Sequence, residues 1–192
     1  MCDSIVGTLL NIQCSSKDGV KARLDLQEMG IRADLHSRPY GKRTFCPPPS
    51  HTLSKDEKRS FYECLYGIKV PSGYSSNFKK LVSMKDLKLV GLKSHDCHVL
   101  MQQLLPVAIQ GIAEYDLQHI LTRLYFFFNA ICSKVIEIER LNELENEGYL
   151  ILFQLEKLFL PSFFDIIVHL VVHLVREIKL CRPIYYRWMY PI

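Results

Sequence analysis

The sequence predicts a mainly α-helical fold with little or no sheet: an irregular helical domain that carries a proline-rich basic arm. Apolar residues recur at helical spacing through most of residues 94–192, and capping residues or prolines lie near the ends of several of these segments. No segment alternates between apolar and polar residues for long enough to require a strand. Because 48% of the residues are apolar and 11% are aromatic, the chain can form a buried core.

Two short helices are predicted near the start of the chain, over residues 4–12 and 17–29. Gly30 fits the left-handed residue that ends the second helix. The arm that follows, residues 38–49, has the sequence RPYGKRTFCPPP. We expect the arm to be irregular, because proline lacks the amide hydrogen and restricts the residue before it.

A third helix is predicted to begin at a capping box, in which Ser54 caps the helix and Glu57 reaches back to its start. It ends near Gly67, and a turn-rich stretch, PSGYSS, follows at residues 71–76. Four further helical segments are predicted: residues 95–109 with a kink or end at Pro106, residues 116–132, residues 137–159, and residues 162–180 with Ser162 as the cap and Asp165 three residues later.

The predicted organisation has three segments: residues 1–30, a basic and loop-rich segment 31–93, and a helical domain 94–192. A single domain over residues 31–192 is the alternative. The formal net charge is +4, but twelve Lys and Arg stand against four Asp and Glu between Arg38 and Lys93. This stretch therefore carries +8 and the rest of the chain −4. Such a stretch either forms a solvated surface or contacts phosphate.

Cations and aromatic residues are interleaved in the arm. Guanidinium and ammonium groups bind phosphate, and aromatic rings stack on bases, so this pattern predicts contact with DNA. The alternative is that the arm packs across the protein's own surface. The candidate nucleic-acid-binding residues are Arg38, Tyr40, Lys42 and Arg43, with Phe45 completing the pattern.

Several other classes of function are disfavoured. The seven cysteines include no Cys-x-x-Cys pair, which indicates reduced thiols in the nucleus or cytoplasm, and no signal peptide is expected. The longest apolar run, residues 166–175, is predicted to be a core helix; it is shorter than the roughly 20 residues that span a bilayer, so we expect no membrane partner. Glycine-rich phosphate loops and nucleophile-elbow motifs are absent, and no small-molecule substrate is indicated.

Two groups of residues have the spacing of zinc ligands. His169 and His173 are four residues apart on a predicted helix, so their rings lie one turn apart on one face. Leu170 stands where the zinc-protease motif needs a glutamate, so that class of enzyme does not fit. The second group is His95, Cys97 and His98, at a predicted helix start, and together the two groups offer enough ligands for one four-coordinate zinc site. The alternative is that His169 and His173 are hydrogen-bonded core histidines.

Longer runs of the sequence resemble the proteins of plant CACTA (En/Spm) transposons. The likeness spans the tail of the transposase region and the domain of unknown function that follows it. The runs that carry it are GVKARLDL (19–26), MGIR (29–32), RPYGKR (38–43), YGIKVPSGYSSN (66–77), KSHDCH (93–98), FFDIIVHL (163–170) and RWMYP (187–191).

The resemblance implies a DDE-type transposase whose RNase H-like core uses acidic residues and a divalent metal. It places an Asp-x-Met-His…Lys-Asn segment just before Cys2, which is missing here, so the catalytic set is expected to be incomplete. By analogy with related transposases, His95, Cys97 or His98 would bind zinc together with His169 and His173, and Glu177 would be the last catalytic glutamate. DNA and the rest of a transposase are the implied partners.

The sequence thus predicts a transposon-derived, transposase-associated domain that is a non-catalytic fragment. One alternative is a DNA- or protein-binding module that uses the basic arm. Another is part of a DDE-type catalytic region with a zinc-binding insertion. Zinc is the one cofactor that the residues indicate.

Overall fold

The computed structural model describes residues 1–12, 15–41, 43–69, 77–181 and 183–186. Most of these residues are helical, and the strands form only two small two-stranded antiparallel sheets. The predicted mainly α fold with little sheet is therefore confirmed. The predicted turn at residues 71–76 and the candidate Lys42 lie outside the described residues.

Among the described residues, the first half of the chain contains four α-helices and all four strands. These are α1 (Cys2–Leu9), α2 (Val20–Met29), β1 (Arg38–Tyr40), β2 (Arg43–Phe45), α3 (Lys55–Gly67), α4 (Phe78–Leu81), β3 (Val82–Ser83) and β4 (Lys88–Leu89). The second half is helical. Its elements are α5 (Ser94–Val99), a π-helical turn (Leu100–Leu104), α6 (Leu105–Ile109), α7 (Tyr115–Ile131), α8 (Ile138–Leu158), α9 (Ile166–His169) and α10 (Val171–Cys181). The two longest of the described helices are α7 and α8.

Three of the predicted helix signals are present in the structure. Gly30 is left-handed, with φ of +68°, and ends α2. The Ser54 amide donates to Glu57 Oε2 at 2.7 Å, and Ser54 Oγ accepts from the Glu57 amide, which completes the capping box of α3. The segment around Pro106 contains a π-helical turn just before the proline, which accommodates the missing amide hydrogen, and α6 then ends at Ile109.

The predicted helix over residues 162–180 is wrong in its start and its continuity. The chain forms a 3₁₀ turn at Pro161–Phe163, then α9, and then α10 after an interruption at Leu170. Ser162 does not cap a helix, because its hydroxyl donates to the Lys17 carbonyl. Asp165 takes that place instead: its Oδ1 accepts from the Val168 amide at 3.2 Å.

One cluster of buried side chains runs from α1 through α3 and α7 to α10, with Ile5, Phe61, Leu124 and Val175 among its members. Helices α7 and α8 pack closely where Gly148 faces the ring of Phe127. A smaller cluster joins α2 and the turn after it to the residues that follow α8; its members are Ala22, Leu26, Leu35 and Leu160. The division at residues 30 and 93 stays a prediction.

Within the described residues, no helix combines the length and the apolar character that crossing a bilayer requires.

Candidate nucleic-acid interface and histidine pair

The β1–β2 hairpin gathers the interleaved cations and aromatic residues on one face. Arg38 pairs with Phe45 and Tyr40 pairs with Arg43. Directly opposed residues share a face of an antiparallel ladder, and so do residues two apart along a strand. The four side chains therefore form a square in which each cation has an aromatic ring beside it along the strand and another across the ladder.

This face is open to solvent. All six strand residues are exposed, and Tyr40 and Phe45 keep 78% and 51% of their surface accessible. Within the described part of the chain, neither Arg38 nor Arg43 makes a hydrogen bond or an ion pair. Large rings and unpaired guanidinium groups at a surface are available to a ligand.

Residues 47–53, which follow the hairpin, are packed against the rest of the protein. His51 and Leu53 are buried, the Leu53 amide donates to the Leu9 carbonyl at 2.9 Å, and the Pro47 carbonyl accepts from Arg23. The alternative of an arm packed on the protein's own surface therefore does not describe Arg38–Tyr40 and Arg43–Phe45, which are exposed; residues 47–53 are the part that packs on the protein.

A buried polar network lies beside residues 47–53, and it was not predicted from the sequence. Arg23, only 1% exposed, donates to both carboxylate oxygens of Asp18 at 2.5 and 2.6 Å, and also to the carbonyls of Leu35 and Pro47. The one signal in the sequence is that Arg23 is three residues before the apolar Leu26 and so lies on the same face of α2.

His51 completes this network. Its Nδ1 donates to the Leu158 carbonyl at 2.9 Å, and its Nε2 lies 3.8 Å from Asp18 Oδ2, with no hydrogen-bond partner in the described structure. The ring stacks on Phe159. Burial lowers the pKa of His51 to about 4, and the nearby Asp18 carboxylate offsets this only in part. His51 is therefore neutral at physiological pH.

Arg32, which follows α2, connects this part of the chain to the end of α8 by hydrogen bonds. Its guanidinium donates to the carbonyls of Glu156, Lys157 and Leu158, which have no partners within the helix. A cation at this position also complements the negative end of the helix dipole.

His169 and His173 are both exposed, so they are not core histidines. Their Nε2 atoms lie 3.2 Å apart and their ring centroids 5.0 Å apart. Two nitrogens that bind one tetrahedral zinc ion, each at about 2.0–2.1 Å, lie ~3.3 Å from each other. The two rings are therefore hydrogen-bonded to each other, and the same separation of their Nε2 atoms suits two ligands of one zinc ion.

The second candidate group lies on α5. Cys97 and His98 face a cavity that Leu174 of α10 also lines, and His95 is half-buried. Burial raises the pKa of the Cys97 thiol and lowers that of His98, with a smaller contribution from His95 to the latter. Among the described residues, no three His, Cys, Asp or Glu side chains are close enough to hold one metal ion. The structure therefore does not bring His95, Cys97 and His98 together with the α9–α10 histidines, and the joint zinc site stays a prediction.

Glu177, the candidate catalytic residue, is exposed on α10, one turn after His173. Asp165, one turn before His169, forms an ion pair with Lys17 at 3.0 Å.

Comparison with known protein families gives a match for the last third of the chain. Residues 131–192 are similar to a family described as Domain of unknown function (DUF4218), a domain typically found in plant transposon proteins. No curated protein and no solved structure matches the chain. The end of α7 and all of α8, α9 and α10 therefore form the part of this chain that is similar to DUF4218.

Proposed function

We propose that this chain is a non-catalytic module, derived from a CACTA-type plant transposon, that binds DNA through the β1–β2 hairpin. The observation that carries the proposal is the exposed face on which Arg38, Tyr40, Arg43 and Phe45 alternate. The DUF4218 similarity and the resemblance of the longer sequence runs support the transposon origin.

The chemistry of this face suits single-stranded or distorted DNA. Stacking of a base on an aromatic ring contributes about 1–3 kcal/mol and tolerates any base, while the cations hold the phosphates. The lysines of the segment up to Lys93 would add attraction of longer range. The expected binding is therefore weak, independent of sequence and steeply dependent on salt.

The test is fluorescence anisotropy with a labelled oligonucleotide, single-stranded or duplex, at about 50 and 200 mM salt. We expect Arg38→Ala with Arg43→Ala to weaken binding at least tenfold for every sequence and to reduce the salt dependence. Tyr40→Ala with Phe45→Ala should weaken single-strand binding more than duplex binding. The matched control is Lys55→Ala with Arg59→Ala, which removes the same charge from the exposed surface of α3. Equal loss in this control, or no binding at low salt, would contradict the proposal.

The absence of catalysis is a separate part of the proposal. Phosphodiester chemistry of the two-metal type needs several carboxylates around the metal ions. We expect no nicking of DNA that carries transposon ends when magnesium or manganese is supplied. Cleavage that disappears in Glu177→Gln would instead favour the DDE-type alternative.

The spacing of His169 and His173 favours a second function, zinc binding by this pair. We expect the purified protein to bind zinc and to show a higher melting temperature with it than with a chelator. Both effects should be lost in His169→Ala with His173→Ala. His119→Ala, which removes an exposed histidine from α7, is the control. Failure to take up zinc would leave the two histidines as surface residues.

A further inference from the structure

The outer side of α8 carries an apolar patch that is exposed in the described structure. Leu150 and Phe153 keep 52% and 56% of their surface accessible, and Tyr149 beside them keeps 54%. The opposite side of the helix is buried and packs against α7 and α10. Large apolar side chains that are grouped on one exposed helix face are typical of a surface that binds another protein.

The exposed residues of this face follow a heptad pattern, in which the spacing alternates between four and three residues. Two helices that carry this spacing can pack against each other along a shared seam. The seam is acidic toward the start of α8, apolar in its middle and basic near its end. Its members, all exposed, are Glu139, Glu143, Asn146, Leu150, Phe153 and Lys157.

The charged ends of the seam are available to a partner. Within the described part of the chain, Glu139 and Glu143 form no ion pair. The Nζ atom of Lys157 lies 4.6 Å from the centroid of the Phe153 ring, and this contact keeps the ammonium group on the same face. Because one end is acidic and the other is basic, the seam is complementary in charge to its own reverse.

We propose that α8 is a self-association surface, on which a second copy of this chain packs with its own α8 antiparallel. With a twofold axis between Leu150 and Phe153, each Leu150 packs against the partner's Phe153. Each Lys157 then lies within one helical turn of the partner's Glu143. A parallel pair would bring Glu143 against Glu143 and Lys157 against Lys157, and these like charges disfavour it.

The symmetry has a consequence for the size of the assembly. A twofold interface uses the same patch on both copies, so it closes at a dimer and leaves no patch for a third copy. The patch is small, so the association should be weak and should depend on protein concentration. The inference does not depend on DNA binding by the β1–β2 hairpin.

Sedimentation velocity over a wide range of protein concentration tests the apolar part of the surface. We expect a monomer–dimer equilibrium for the wild type. Leu150→Gln with Phe153→Gln should raise the dissociation constant at least tenfold. The matched control is Tyr115→Gln with Phe126→Gln, which removes two exposed aromatic residues from α7 and should leave the constant unchanged. A wild type that stays monomeric, or equal losses in both double variants, would overturn the proposal.

A charge exchange tests the antiparallel arrangement. Lys157→Glu alone and Glu143→Lys alone each bring like charges together at two equivalent places, so each should weaken the dimer about fivefold. The two substitutions in one chain restore opposite charges and should return the dissociation constant toward that of the wild type. Additive losses without this rescue would overturn the antiparallel second copy and favour a different protein as the partner.

Hydroxyl-radical footprinting of the wild-type protein, read by mass spectrometry, does not depend on the folding of a variant. Tyr149, Leu150 and Phe153 should be oxidised more slowly at high protein concentration than at low concentration. Tyr115 and Phe126 should be oxidised equally at both. Protection of none of these side chains, or of all of them alike, would contradict association through α8.

Discussion

Four arginines close together in the sequence have opposite surroundings in the structure. Arg23 and Arg32 use their guanidinium groups on a carboxylate and on carbonyl oxygens of the protein itself. Arg38 and Arg43 lie on the exposed hairpin and have no such partner among the described residues. A guanidinium that already donates its hydrogens contributes to folding, whereas one that donates none is available to a ligand.

The basic segment likewise has two parts that differ in their contacts: the exposed β1–β2 hairpin and the packed residues 47–53. Residues 47–53 are held by Arg23, by the end of α8 and by α1, so they connect the arm to the DUF4218-like region. The described residues of the hairpin, Arg38–Tyr40 and Arg43–Phe45, make no comparable hydrogen bonds to other elements. A basic sequence is therefore not one functional unit, and only its exposed part supports a proposal of DNA binding.

The largest expected effect is on Arg23. Replacing it by methionine leaves the Asp18 carboxylate, 8% exposed, without its partner, and breaking a buried ion pair costs about 3–5 kcal/mol. Arg43→Met should change the free energy of unfolding by less than about 0.5 kcal/mol, as is usual for a surface substitution. Urea denaturation of the two variants measures the difference. Similar losses of unfolding free energy in the two variants would show that Arg23 does not stabilise the fold more than Arg43 does.

The next effect concerns pH. The pKa of His51 is about 4 in the folded protein and ~6.5 in an unfolded chain, so the unfolded state binds more protons between these values. Stability should therefore rise with pH across this window and fall as the pH drops from 6.5 to 4, by roughly 2–3 kcal/mol.

His51→Gln tests this share of the pH dependence. Glutamine can donate a hydrogen bond to the Leu158 carbonyl but does not titrate. The difference in unfolding free energy between wild type and variant should change across pH 4–7, measured by urea denaturation at each pH. Parallel curves for the two proteins would show that His51 does not titrate as its burial suggests.

A smaller effect is expected at Arg32. Its φ of +48° is left-handed, which asparagine tolerates, so Arg32→Asn removes the guanidinium without adding backbone strain. Loss of its hydrogen bonds to the last carbonyls of α8 should cost about 1–2 kcal/mol, seen as a lower thermal midpoint. An unchanged midpoint would mean that water replaces these bonds without loss.

The local elements could be predicted closely because their signals lie within a few residues. Gly30, the box of Ser54 and Glu57, and the interruption near Pro106 act through backbone conformation and hydrogen bonds of neighbouring residues. The start of the last helix was wrong for the opposite reason. Ser162 has the right residue type for a cap, but a carbonyl 145 positions away takes its hydroxyl.

The sequence by itself determined the helical fold class, the cationic and aromatic character of the arm, and the one-turn spacing of His169 and His173. Only the tertiary structure decided which basic residues are buried and how the hairpin register places four side chains on one face. The physical reason is that propensity depends on neighbours within about one turn, whereas burial and pairing depend on groups that folding brings from far along the chain.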